Sequence, residues 1–231
     1  MTLDDFIEEL CLGELSNLYL GEQGLVELSP LRRKKLVAYT NQGLKALCSR
    51  FKLVQKELII QGMDHVSLYY LRPEHSMTRG TAVNKYIDDR YCDPFCGDVI
   101  KILSVYNVGG KEFPLNDHGK SDSLFTPSFD TLQITHPIQG QGYSVIYQSL
   151  HPKLTDDSDG CKEFHLPPML EEALMAFVAG KVYSHMNGEA NKATSKEHMA
   201  TFEAKCIEAG TLDMSAESAV MTHHKAENKG F

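Results

Sequence analysis

The sequence predicts an α+β protein in which N- and C-terminal helices form a discontinuous bundle, with a β-rich insert between them and an extended C-terminal tail. Three observations predict it. Apolar residues recur at helical spacing towards both ends of the chain, the period falls to two in the middle, and the last residues hold too few large apolar groups to pack alone. The 231 residues, 42% hydrophobic and 23% charged, suffice to bury a sizeable core. The expected segments are 1–56 for the first helices, 57–165 for the insert, 166–210 for a helical hairpin and 211–231 for a terminal arm.

Thr2 caps a helix whose apolar residues Leu3, Phe6, Ile7, Leu10 and Cys11 follow the i, i+3, i+4, i+7, i+8 pattern. Asp4 and Asp5 fall in its first turn, where the macrodipole favours them. A linker with Gly21 and Gly24 follows. Ser29 and Pro30, a cap and a first-turn proline, then open a helix over 30–52 with an apolar stripe of Val37, Leu44, Leu47, Cys48 and Phe51. Beyond it, ELIIQ, HVSLYYL, DVIKILSVYNV, KEFPL, DTLQITH and GYSVIYQSL read as strands. Gly109-Gly110 marks a hairpin, and IQGQGY another turn. Pro167 and Pro168 punctuate the start of a helix that turns Leu170, Ala173, Leu174, Phe177 and Val178 inward and ends at Asn187-Gly188. Its partner over 194–210 turns Met199, Phe202, Cys206 and Ile207 inward, with Gly210 as C-cap. Helices of these lengths are marginal alone in water, so the early and late pairs are expected to pack together.

The net charge of −8 is unevenly spread. Residues 1–28 carry seven acidic side chains and no basic one, whereas residues 29–56 carry eight basic side chains and no acidic one. Such blocks attract, within one chain or between copies of it, and the favoured expectation is an inter-subunit contact of Asp4, Asp5, Glu8 and Glu9 with Arg32, Arg33, Lys34 and Lys35. The plainer reading of the basic residues is a solvated helix face. The functional alternative is a cytoplasmic nucleic-acid-binding protein that lays helix 30–52 along phosphates, but the segment lacks interleaved aromatic residues for stacking. No run of eighteen apolar residues offers a membrane span, and the acidic start is unlike a signal peptide. Six scattered cysteines favour reduced thiols in a cytoplasmic setting over a disulfide framework.

Cys92 and Cys96 have the spacing of half a zinc site, but no second Cys/His pair follows, and His75 and His118 are near only in sequence. Free cysteine is usually a small buried hydrophobe, and that reading is preferred to a metal or redox role. Asp88 and Asp89 read as a solvated turn beside Arg90 rather than a cation site. His165 has no nucleophile motif near it, and His223 and His224 sit in the polar tail. With no G-x-S-x-G, H-E-x-x-H or Walker sequence, the expectation is a non-enzyme without catalytic, cofactor-binding or metal-binding residues.

Three stretches, DVIKILSVYNVGGKEFPLND, SLFTPSFDTLQITHPIQGQGYSVIYQSLHPKL and LPPMLEEALMAFVAGKVYSHMN, carry a resemblance. Over about residues 29–209 the chain resembles the head–tail adaptor proteins of short-tailed bacteriophages, also described as head-to-tail connector or upper tail-tube proteins. Leu166, Pro167, Leu170, Ala173, Leu174, Ala179 and Met186 match the alanine-rich helix of that pattern, and Gly180 departs from it. The resemblance implies a homo-oligomeric ring, dodecameric, docked between the portal protein and a tail nozzle or tail-tube protein. The helices would form the ring body, and double-stranded DNA would pass through its lumen without sequence-specific binding. The implied location is the head–tail interface of the virion, after synthesis in the host cytoplasm. The arm from Thr211 to Phe231 would reach the portal, with Leu212, Met214, Val220, Met221, His223, His224 and Phe231 as contacts.

Overall fold

Capping chemistry sets the first element of the computed structural model, which describes residues 1–21, 24–25, 28–90, 94–155 and 166–212. The Thr2 hydroxyl accepts from the Asp5 amide and the Asp5 carboxylate accepts from the Thr2 amide, both at 3.1 Å, a reciprocal capping box. Helix α1 (Leu3–Leu12) follows and buries Leu3, Phe6, Ile7, Leu10 and Cys11, the stripe that the sequence pattern predicts. The expected linker is more ordered than its glycines suggest. It holds a helical turn, α2 (Ser16–Tyr19), and an antiparallel pair of β1 (Leu20–Gly21) with β2 (Gly24–Leu25).

Pro30 begins α3 (Pro30–Arg50), which buries Leu36, Val37, Thr40, Gly43, Leu44, Leu47 and Cys48. Ser29 takes the extended backbone of an N-cap but makes no side-chain cap bond. Helix α4 (Pro168–Ser184) is apolar almost all round, as a central helix must be, and α5 (Glu189–Thr211) packs beside it. Gly43 marks a close crossing: a Cβ there would lie 2.4 Å from the Leu174 Cδ1 of α4. Gly180 marks another. A Cβ at Gly180 would meet the Met199 Sδ of α5 at 2.9 Å, and the Ser195 hydroxyl donates to the Gly180 carbonyl at 2.8 Å. That approach gives a physical reason for a glycine in the interior of α4. Two expectations for α5 are corrected. Ile207 is 67% exposed and Ala209 is buried instead, while Gly210 lies inside the helix and Leu212 follows as its cap.

These helices share one hydrophobic core drawn from both ends of the chain, including Phe6, Leu10, Leu44, Leu47, Leu174, Phe177 and Phe202. Arg50 grips Glu203 through two 2.7 Å bonds, and Asn41 exchanges two 2.9 Å bonds with the Leu154 backbone. Leu154 thereby belongs with the helices. The compact helical unit comprises Met1–Leu53 together with the described residues from His151 onward.

The second unit, Val54–Leu150, has its own core. A five-stranded antiparallel sheet runs in the order β5 (Ile87–Asp88), β3 (Gln55–Gln61), β10 (Gly142–Ser149), β6 (Val99–Asn107), β7 (Glu112–Phe113). A three-stranded sheet orders β4 (Leu68–Tyr70), β9 (Thr131–Gln133) and β8 (Phe125–Ser128). Val145 of β10 sits opposite both Leu58 and Val105, which fixes the register that points Leu58, Val105, Tyr143 and Tyr147 into the core. Gly110, at φ 73°, closes the β6–β7 hairpin, and Gly140, at φ 76°, serves the turn before β10. The molecule is thus mixed α/β, with helices in its N- and C-terminal parts. Its units divide at Leu53/Val54 and Leu150/His151, where the sequence segments divide at 56/57 and 165/166.

Candidate functional site

The charged blocks sit on α1 and α3. On α1 the core residues leave Asp4, Asp5, Glu8, Glu9 and Leu12 on the outer surface. Asp4 forms an ion pair with Arg33 of the same chain, so these two residues meet within one molecule. Hydrogen bonds from the Thr2 side chain and amide hold the Asp5 carboxyl below the usual carboxylate range, which ties Asp5 to the cap. Glu8 and Glu9 are exposed, one turn before Leu12, which is 49% exposed. Glu14, past the end of α1, lies 3.1 Å from His198 on α5.

On α3, Arg32 stacks its guanidinium over the Tyr19 ring at 5.8 Å, and Lys34 and Lys35 are exposed. Arg32 and Lys35 also stand at the rim of a cleft of about 260 Å³. Its apolar lining, Leu18, Leu36, Val182 and Met186 with Tyr19 and Tyr39, is buried or half-buried and so forms a floor beneath the exposed Arg32 and Lys35. His185 completes the rim, stacked on Tyr39 with ring centroids 5.5 Å apart and its Nδ1 2.8 Å from the Lys181 carbonyl. The cleft therefore presents an apolar bottom beneath a basic edge, chemistry that suits an acidic group carried on an aliphatic or aromatic body. Sequence reasoning misses it because the end of α4 is remote in the chain from α2 and α3. The only signal was the surplus of cations on α3.

In the β unit the expectation of a solvated turn at Asp88 and Asp89 is corrected. Asp88 pairs with Arg90 at 2.7 Å, as a neighbouring cation should. Both are buried all the same, Asp88 at 8% and Asp89 at 1% exposure. Asp89 is the more fully bonded of the two. It accepts from the Ser76 hydroxyl at 2.6 Å, the Thr78 hydroxyl at 2.7 Å, the Phe95 amide at 3.0 Å and the Thr78 amide at 3.1 Å. Burial alone would raise its pKa, but these four donors outweigh it and hold the carboxyl below the usual range. Asp98 is the second such hub, bonded by Lys56, by the Ser149 hydroxyl at 2.7 Å and by the Tyr147 hydroxyl at 3.2 Å. Both lie in loops and anchor them through these bonds.

Cys96 is exposed in the stretch that leads into β6, whereas Cys11, Cys48 and Cys206 are buried. Burial pushes all three buried thiols up. Cys92, His165, His223 and His224 lie outside the described residues, as do Met214, Val220, Met221 and Phe231 of the expected arm. Leu212 is described, and is 59% exposed. Among the described residues no group of three or more His, Cys, Asp or Glu could hold a metal ion, and no helix is long and apolar enough to cross a membrane. No protein-family model and no curated protein matches the chain.

Proposed function

We propose that this protein is a head–tail adaptor of a short-tailed bacteriophage, a structural subunit that assembles into a ring beneath the portal. One observation carries the reading. Helices from the two ends of the chain bury a shared core, and a separately cored β unit is spliced between them, in the order that the resemblance calls for. In this reading the helices are the discontinuous bundle of the ring body, residues 54–150 are the insert, and the residues after α5 are the portal-reaching arm. The exposed acids of α1 and cations of α3 support neighbour-to-neighbour contact, because two different charged patches on one subunit favour a repeating heterologous interface. DNA passage is compatible with an acidic chain, since a conduit must not hold phosphates tightly.

The nucleic-acid-binding alternative is weaker on this geometry. Arg33 and Arg50, two of the three arginines of α3, are already committed to Asp4 and Glu203. Negative-stain electron microscopy of the purified protein, alone and mixed with its cognate portal, tests the proposal. Rings stacked on portals are expected, and truncation after Leu212 should leave rings that no longer attach. A protein that stays monomeric and ignores the portal defeats the reading. DNA binding that falls steeply with salt and vanishes in an Arg32→Glu, Lys35→Glu variant would replace it with the alternative.

A further inference from the structure

We infer that the cleft beside Tyr19 is the socket for the acidic face of α1 in a second copy of this chain. The inference rests on the ring reading and names the contact that would propagate it. Asp5, Glu8, Glu9 and Leu12 are spaced to share one helix face, and burial of Leu3, Phe6, Ile7, Leu10 and Cys11 turns that face away from the chain's own core. The stripe thus ends in an exposed leucine flanked by carboxylates. None of its residues lines the cleft of the same chain.

The cleft has the complementary character. Arg32 and Lys35 at its rim form no ion pair with any described residue, and the floor beneath them is aliphatic. Seating Leu12 on that floor would bring Glu8 and Glu9 up to the basic rim, pairing opposite charges around a buried apolar anchor. That is the arrangement of an interface hot spot with a charged surround. Asp4 and Arg33 are already paired within the chain, Asp5 is tied to the Thr2 cap and Lys34 does not line the cleft, which narrows the eight charged residues expected from sequence to Glu8 and Glu9 against Arg32 and Lys35. Each subunit carries one stripe and one cleft. The contact is therefore head-to-tail, and a rotation that closes makes a ring.

Sedimentation velocity on charge-reversed variants tests this. Glu8→Lys with Glu9→Lys reverses the stripe, and Arg32→Glu with Lys35→Glu reverses the rim. Each variant alone should keep the wild-type melting curve and lose assembly, because its stripe and cleft then carry like charge. Mixed in equal amounts, the two should assemble again, since every junction then joins unlike charges. Leu12→Asp should weaken association at least tenfold, and added salt should loosen the wild type. If Arg32→Glu, Lys35→Glu fails to fold, Lys35→Glu alone serves in its place. Reversed variants that assemble like wild type, or a mixture that stays monomeric, overturn the inference. In the first case the ring reading stands and another surface makes the ring. A wild-type protein that never assembles, alone or with portal, removes both.

Discussion

At Asp89 four donors converge on one carboxylate, and the cost of deleting it can be argued directly. Asp89→Ala strands two hydroxyls and two amides in a site with little access to water, so a loss of about 3 kcal/mol in urea unfolding is expected. The sign of its pH dependence follows from the shift. The folded carboxyl titrates below its unfolded value, so its contribution is complete above about pH 4 and is lost as acid protonates it. Asp89→Asn should therefore show a flatter stability curve than wild type below about pH 4. The cysteines give a second residue-level expectation. A thiol reagent should react with Cys96 in the native protein and reach Cys11, Cys48 and Cys206 only on unfolding, with Cys96→Ser removing one fast equivalent. Neither outcome was legible in the sequence. Asp89 looked like part of an exposed YIDDRY turn because its donors come from residues 76, 78 and 95, and local pattern does not place those beside it.

Helices were the legible elements, because apolar spacing and capping are local. Thr2, Pro30 and Pro168 mark three starts correctly, and the stripes of α1, α3 and α4 are buried as expected. Ile207 fits the helical spacing counted from Met199, which is itself only partly buried. The buried face of α5 steps through Ser195, Phe202, Cys206 and Ala209, and Ile207 falls one residue off it. Strands were harder. β3 alternates, and β6 and β10 are legible instead as long apolar runs, with β10 buried from Tyr143 to Ser149, whereas β5 spans only Ile87–Asp88 and β8 contains Pro127, so neither carries a period. HVSLYYL contracts to Leu68–Tyr70, the part that pairs with β9. The two helix crossings make opposite predictions. Gly43→Ala places a methyl into the buried Leu174 and Phe177 side chains and should cost about 1–3 kcal/mol despite better helix propensity. Gly180→Ala meets the flexible end of Met199, so the propensity gain of about 1 kcal/mol should leave it near neutral in thermal melts.

On the scale of the whole molecule, the order helix, helix, β unit, helix, helix could be read from sequence, whereas the cleft could not, since it exists only once α4 has docked on α3. That docking predicts the effect of truncation. A chain ending at residue 155 lacks α4 and α5, leaving Leu44 and Leu47 without Leu174 and Phe177. Circular dichroism should then report lost helix, while the tyrosine signal of the β unit persists. The same discontinuity sets a schedule for synthesis. α3 ends at Arg50, but its partner begins only at Pro168, more than a hundred residues later. At about 5–20 residues per second, the apolar face of α3 waits on the order of ten seconds on the ribosome. The β unit, whose described strand pairings and core residues lie within Val54–Leu150, can fold in that interval. The nascent helices therefore spend it in a state that only a chaperone, or the early cover of α1, keeps from sticking to its neighbours.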